Sequence, residues 1–245
     1  MGKLIILAGP SGIGKSPLAK SLKRFYPELY TNVKMLVLYN SRDSRPGEED
    51  GEDYHFRKRE EIQGLADDNR YVVMDVRGDL QALDLESVQA DLERGDLFFE
   101  GNPFIGKILA IHERLSKVQK ISVFVAPLSL EEINYLKRMD QLDLPGMVTD
   151  IMRRKLLRRT RKQKQELSLK DLENIEKRAG SAYQELQMTH FFDYVIPNYD
   201  GEDSENWDAF YYPVGSARKA LIAFAGLLAG QMPKTVEQWP EGLLP

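Results

Sequence analysis

The sequence predicts an α/β fold, a mostly parallel sheet flanked by helices on both faces. Three observations carry this. The chain opens on a short apolar run, KLIILA from Lys3 to Ala8, that passes through a glycine-rich loop into a helical pattern ending at Phe25. Short apolar runs and helical patterns then alternate down the chain, as parallel strands joined by crossovers require. Of the 245 residues 42% are hydrophobic, which is ample for a sizeable core.

Composition narrows the chemistry. The net charge is −4, so the surface as a whole does not attract nucleic acid or anionic membrane, and any phosphate site must be local. The absence of cysteine removes disulfides, thiolate catalysis and cysteine-ligated zinc, and it suits a reducing compartment. His55, His112 and His190 are scattered without metal-ligand spacing. The N-terminal apolar run is too short for a signal peptide, and Ile6 stands where a myristoylation signal needs Ser or Thr. Ala220–Gly230 (ALIAFAGLLAG) has about half the length of a bilayer span. A soluble, cytoplasmic protein is expected.

The first strand leads into GPSGIGKS, residues 9–16, a complete GxxxxGK[ST] pattern in the strand–loop–helix context that it needs. Backbone N–H groups around Gly9, Ser11, Gly12, Ile13 and Gly14 can converge on a phosphate, Lys15 reaches the outer phosphates, and Ser16 is a Mg²⁺ ligand at the helix N-terminus. Pro17 falls in the first helical turn, where no N–H is required. The loop predicts a nucleoside triphosphate as ligand.

A second site decides the reaction. Ser41–Phe56 (SRDSRPGEEDGEDYHF) sets Arg42 and Arg45 beside Pro46-Gly47 and then Tyr54, two guanidinium forks and a phenol suited to one phosphate dianion. The bland alternative is a solvated acidic hairpin whose arginines pair with Glu48–Asp53. GPSGIGKS followed by this stretch resembles the guanylate kinase family, as do VFVAPLSLEEI (Val123–Ile133), RAGSAYQEL (Arg178–Leu186) and FDYVIPN (Phe192–Asn198). The resemblance implies a P-loop NTPase-type core, an acceptor-binding insertion and a helical lid, with ATP as phosphoryl donor and Mg²⁺ as cofactor. It also implies that Arg42, Arg45 and Tyr54 grip the acceptor phosphate.

The likeness weakens where the family reads guanine. Leu38 takes the place of its serine, Val73 that of its glutamate, and Leu80 and Leu83 those of its tyrosine and second serine. Lost polar readers abolish or redirect base selectivity, because such groups discriminate by roughly 10⁴ to 10⁵. Asp75, Arg77 and Asp79 are polar groups able to rebuild a base site. Glu100, ending LFFE, is a candidate Mg²⁺ or acceptor ligand, with Asp75 as its rival, and Asn102 fills the family's second acidic position without its charge.

Phosphoryl transfer between anions needs positioning and positive charge. The densest basic run is Arg153–Lys164 (RRKLLRRTRKQK), without the interleaved aromatic residues that nucleic acid binding favours. Its Arg154, Arg158 and Thr160 resemble the family's lid motif, with Arg159 in place of a glycine. Arg154, Arg158 and Arg178 are therefore assigned to ATP phosphates and transition-state charge, and Asn198 resembles the family's adenine-edge residue. The expected organisation is a core at 1–34, 93–133 and 179–230, the acceptor insertion at 35–92, a lid at 134–178 and an arm at 231–245 that docks on this chain or a partner. The expected activity is transfer to a nucleoside monophosphate, GMP foremost; a sugar-phosphate kinase and a non-catalytic interaction module are the alternatives. Small-molecule nucleotides are the expected partners, and the enlarged lid is a candidate contact in a homo-oligomer.

Overall fold

The computed structural model describes residues 2–45, 47–139, 141–164 and 166–244, so Pro46 of the Pro-Gly turn lies outside the described residues. Strand β1 (Leu4–Ala8) is buried at every position and feeds the glycine loop, after which α1 (Lys15–Phe25) begins. Next come β2 (Val33–Met35), β3 (Leu38–Asn40), β4 (Tyr54–Phe56) and α2 (Arg59–Gly64). A hairpin of β5 (Tyr71–Val76) and β6 (Asp79–Asp84) precedes α3 (Leu85–Arg94). Then follow β7 (Asp96–Gly101), α4 (Pro103–Ile111), β8 (Lys120–Ala126) and α5 (Leu130–Leu136). The long α6 (Leu144–Gln163), α7 (Leu169–Gly180) and the short α8 (Ala182–Leu186) come before β9 (Tyr194–Pro197) and α9 (Gly215–Leu228).

Two sheets form. The first has the order β2-β7-β1-β8-β9, with β2 parallel to β7 and β8 parallel to β9. The second has the order β4-β3-β6-β5 and mixes a parallel β3–β4 pair with antiparallel pairs. Its hairpin turns on Arg77 and Gly78, whose φ values of 58° and 90° make the left-handed pair that a two-residue turn needs to match strand twist. The turn pins the register of everything on β5 and β6. At the hairpin's other end Asp84 caps α3, accepting from Glu86 N and Ser87 N, while Arg70 Nε holds the same carboxylate at 2.9 Å.

The chain divides into two compact units. One comprises Met1–Ile5, Asn32–Phe99 and Ile111–Lys120, the other Ile6–Thr31, Glu100–Ala110 and Ile121–Pro245. In the second unit α6 buries Leu144, Val148, Met152, Leu156 and Thr160, one residue per turn along a single stripe. Arg153 on α6 forks onto Glu176 of α7 at 2.7 and 3.0 Å, and Ser168 with Asp171 forms a capping box that starts α7. The C-terminal arm docks on its own chain: Glu237 exchanges backbone hydrogen bonds with Val195 at 2.8 Å, and Trp239 is buried. Among the described residues no helix is long and apolar enough to cross a membrane. The apolar run at Ala220 belongs to α9, where Ala220, Leu221, Phe224 and Leu227 are buried.

Candidate phosphate-binding sites

The glycine loop and its surroundings lie within the second unit. Gly14 takes φ 104°, and a Cβ there would meet Asp200 O at 2.6 Å and Asn198 Nδ2 at 2.7 Å, so the position needs glycine on two counts. Lys15 is buried and donates to Gly9 O and Pro10 O, both at 2.9 Å, which holds the ammonium over the loop. Ser16 Oγ donates to Glu100 Oε1 at 2.5 Å and brings the two expected metal ligands together. Burial pushes the Glu100 carboxyl above its ordinary range, against the Ser16 bond and the charge of Lys15. A hydroxyl and a carboxylate are hard oxygen donors that fit Mg²⁺, an ion that takes few protein ligands and draws the rest from phosphates and water. Among the described residues no cluster of three or more His, Asp or Glu competes for a metal. Asn102 serves differently: its Oδ1 accepts from Ile105 N at 3.0 Å, in the first turn of α4.

Asn198 does not fit an adenine edge in this structure. It is 0% exposed. Its Nδ2 donates to Ile13 O at 2.7 Å and Asp200 O at 2.6 Å, and its Oδ1 accepts from Asp200 N and Ser216 Oγ, each at 3.2 Å. Two donors and two lone pairs are the full capacity of the side chain. Asn198 thus braces the phosphate loop from behind and ties it to the 200s loop, where Trp207 Nε1 donates to Gly201 O.

The helical phase of α6 also changes the lid assignment. At about 100° per residue, Arg154 and Arg158 stand roughly 160° from the buried Leu156 and so face outward. Arg154 has 71% of its side chain exposed and pairs with Asp150 one turn back, and Arg158 is exposed too. The cations that α6 brings to the 200s loop are Lys155, donating to Tyr199 O, and Arg159, whose Nη1 donates to Glu202 Oε2 at 2.7 Å. Leu156 lies so close to Gly12 that a Cβ there would meet its Cδ2 at 3.1 Å. Thr160 spends its hydroxyl on Leu156 O inside the helix. Arg178 acts electrostatically on Glu202, as does Lys15. Sequence reasoning missed Glu202; the spacing of the buried residues on α6, which turns Arg159 rather than Arg158 toward the 200s loop, was the signal that could have found its partner.

The segment expected to bind the acceptor lies within the first unit. Arg42 forks onto Glu48 with two bonds of 2.7 Å, and its guanidinium sits 5.1 Å from the Tyr54 ring and 5.3 Å from the Phe56 ring. Glu48 also accepts from Arg45 N at 2.8 Å. Burial alone would weaken both charges of the Arg42–Glu48 pair, but the bond between them outweighs it, raising the arginine and lowering the carboxyl from their ordinary values. The pairing that the bland alternative foresaw is therefore present for Arg42. It orients the guanidinium, whose Nη1 also donates to Asp43 O at 2.8 Å. The rest of the acidic run is local: Asp53 accepts from Glu49 N, and Asp50 accepts from Phe56 N and Arg57 Nη1.

Register decides what accompanies Arg42. Leu38 pairs with Tyr54, Asn40 with Phe56 and Gln81, Gln81 with Met74 and Leu83 with Val72, so all of these share the Arg42 face. Val73 pairs with Ala82 and Asp75 with Leu80, and both pairs lie on the opposite face with Tyr39 and His55. The expectation at Val73 and Leu80 is corrected: on β5 Val72 rather than Val73, and on β6 Leu83 rather than Leu80, share the Arg42 face, with Gln81 between Leu83 and the turn. A one-residue slip moves a strand's whole set of side chains to the other face, and here the Arg77-Gly78 turn fixes the count. Asp75 is corrected as well. It caps the turn, accepting from Gly78 N at 2.5 Å, and pairs with Arg59 at 3.3 Å, on the face opposite Arg42. Asp79 stays on the Arg42 face, close enough to act on its charge.

The guanylate kinase family profile matches residues 1–206. A guanylate kinase of Synechococcus sp. (strain JA-3-3Ab) is 31% identical over 215 residues, spanning 86% of this chain and 83% of the relative. Another, of Caulobacter vibrioides (strain ATCC 19089 / CIP 103742 / CB 15), is 28% identical over 234 residues, spanning 95% and 94%. The fold is similar to the crystal structure of guanylate kinase from Anaplasma phagocytophilum, with a TM-score of 0.52 at 20% identity over 96% of this chain and 89% of that one.

Proposed function

The chain belongs to the guanylate kinase family, and from that premise we propose that it transfers the γ-phosphoryl group of ATP to GMP, giving ADP and GDP. The observation that carries this reading is that one chain keeps both phosphate-binding sets. In one unit the Lys15 loop lies beside the Ser16–Glu100 pair; in the other Arg42 is oriented by Glu48 and stacked on Tyr54. The organisation into a core, an acceptor insertion at 35–92, a lid at 134–178 and an arm at 231–245 is part of the same proposal.

In this mechanism the backbone of residues 9–14 and the ammonium of Lys15 hold the donor phosphates. Ser16 and Glu100 would hold Mg²⁺, which supplies charge neutralisation between donor phosphates. Arg42, Arg45 and Tyr54 bind the acceptor's phosphate, and the Arg42–Glu48 fork fixes the guanidinium before the anion arrives, so little ordering is left to be done on binding. Arg178 adds positive field near the loop, acting on Glu202. We assign no resting phosphate contact to Arg154 or Arg158. A cytoplasmic location belongs to this reading, supported by the cysteine-free composition.

One observation favours a second reading for the acceptor's base. Leu38, Val72 and Leu83 make that part of the Arg42 face apolar, with Gln81 and Asn40 as its amides. The test is the initial rate of ADP release from Mg-ATP with GMP, with other nucleoside monophosphates and ribose phosphates, against a blank without acceptor. GMP is expected to give the fastest turnover, in the range of about 1 to 100 per second usual for kinases. A GMP rate equal to the blank, with turnover on another phosphomonoester, would reject guanine and keep the phosphate cradle.

A further inference from the structure

Arg159 and Glu202 form an ion pair beside the phosphate loop. Arg159 comes from α6, and Glu202 from the loop after β9. Both are largely buried, with 18% and 17% of their side chains exposed. The Glu202 backbone is fastened to the phosphate loop, its N–H donating to Gly12 O at 3.2 Å. A Cβ on the preceding Gly201 would meet Gly12 O at 2.9 Å, so the carboxylate is carried on backbone packed against the loop itself. Around it stand three cations. Burial pushes the Glu202 carboxyl up, yet the charges of Arg159, Lys15 and Arg178 outweigh it and hold the group below its ordinary value.

The guanidinium is also incompletely used. Its Nη1 is given to Glu202, whereas its Nε–H is buried with no hydrogen-bond partner among the described residues. A buried donor without an acceptor costs about 1 to 3 kcal/mol. An anion at the loop would relieve that cost, and a carboxylate is the smaller and less charged of the two anions able to compete for this cluster. A triphosphate offers several oxygens to the same cations.

We propose that Glu202 is an internal anion that competes with the ATP phosphates for the lid cation Arg159 and holds it, and through it α6, until those phosphates displace the carboxylate. This rests on residues 9–16 being the ATP loop. Phosphate then takes over Arg159, while Glu202 is released toward solvent through the 17% of its surface already exposed. The pair lets the lid helix sit on the loop without an uncompensated positive cluster, and sets the affinity for ATP below what the cations alone would give.

The experiment is calorimetric titration of Mg-ATP into the whole chain and into Glu202→Gln, Arg159→Ala and the double variant, with thermal melts of each. Glu202→Gln keeps the side-chain shape and removes the competing charge, so it is expected to tighten ATP roughly tenfold, the scale of one hydrogen bond to a charged group. Arg159→Ala is expected to weaken ATP by a similar factor with the KM for GMP unchanged, and on that background the glutamine should bring no gain. A merely structural ion pair predicts the reverse for Glu202→Gln, a lower melt with equal or weaker ATP binding. ATP binding by Glu202→Gln no tighter than wild type, whatever its melt, overturns the proposal. So does a full gain in the double variant, which would assign the competition to Lys15 or Arg178. Wild type that fails to bind Mg-ATP at all sinks the kinase reading together with this one, so the two failures are distinguishable.

Discussion

Replacing Asn198 by Ala separates a loop brace from a base reader. The side chain makes four hydrogen bonds, two at 2.6 and 2.7 Å as donor and two at 3.2 Å as acceptor, and is fully buried. Each such bond contributes about 1 kcal/mol net, and the longer pair less, so the sum is roughly 3 kcal/mol. The partners Ile13 O and Asp200 O lie in packed backbone, which keeps water from repairing the loss in full. For a chain of this size 1 kcal/mol moves Tm by about 2 to 4 °C, so Asn198→Ala should melt roughly 6 to 12 °C below wild type. The loop it braces is the phosphate loop, so the KM for ATP and for GTP as donors should rise together, leaving their ratio unchanged. Differential scanning calorimetry and donor kinetics read both quantities. A variant that melts with wild type but loses preference for ATP over GTP would refute the argument, because it would mean that the amide faces a nucleobase.

Glu100→Gln keeps an oxygen able to accept from Ser16 but removes the charge. The Mg²⁺ concentration for half-maximal rate should rise about tenfold or more while the KM for GMP holds, the scale of lost charge-assisted binding; an unchanged Mg²⁺ requirement would exclude Glu100 as a ligand. Asp171 gives a pH signature. Bonds from Lys164 and Ser168 hold its carboxyl down to about 2, so its contribution is present above the unfolded value near 4 and is lost as pH falls through about 2. The Tm gap between wild type and Asp171→Asn should therefore shrink from pH 5 to pH 2. A gap constant over that range would show that the α7 cap works without charge.

Two parts of this protein are legible from sequence for the same reason: their chemistry lies in contiguous residues. GPSGIGKS contains its own turn, donors and lysine, and α1 follows from what comes next. Arg42, Glu48 and Tyr54 meet within one short stretch of chain, where a fork between residues six apart is a local event. Legibility fails where one integer or one distant partner decides. On β5 a register of Val72 with Leu83, set by the Arg77-Gly78 turn, reverses which side chains share the Arg42 face, and a motif resemblance is blind to it. On α6 the helical phase was available in the spacing of Leu144, Val148, Met152, Leu156 and Thr160, and following it instead of the family pattern turns Arg154 and Arg158 outward.

The distant partner is the deeper obstacle. Arg159 and Glu202 lie 43 residues apart, and nothing in either neighbourhood names the other. A basic helix reads as solvated and an acidic loop reads as solvated, each correctly by composition. Only packing brings them together, because Gly12 and Gly201 carry no Cβ and allow Leu156 on one side and the 200s loop on the other to close on the phosphate loop. The same absence of side chains that lets backbone approach a phosphate thus lets the chain's own carboxylate approach it. In a glycine loop shaped for anions, a nearby glutamate is the first anion to be tested against the site, and its charge belongs in any account of ATP affinity.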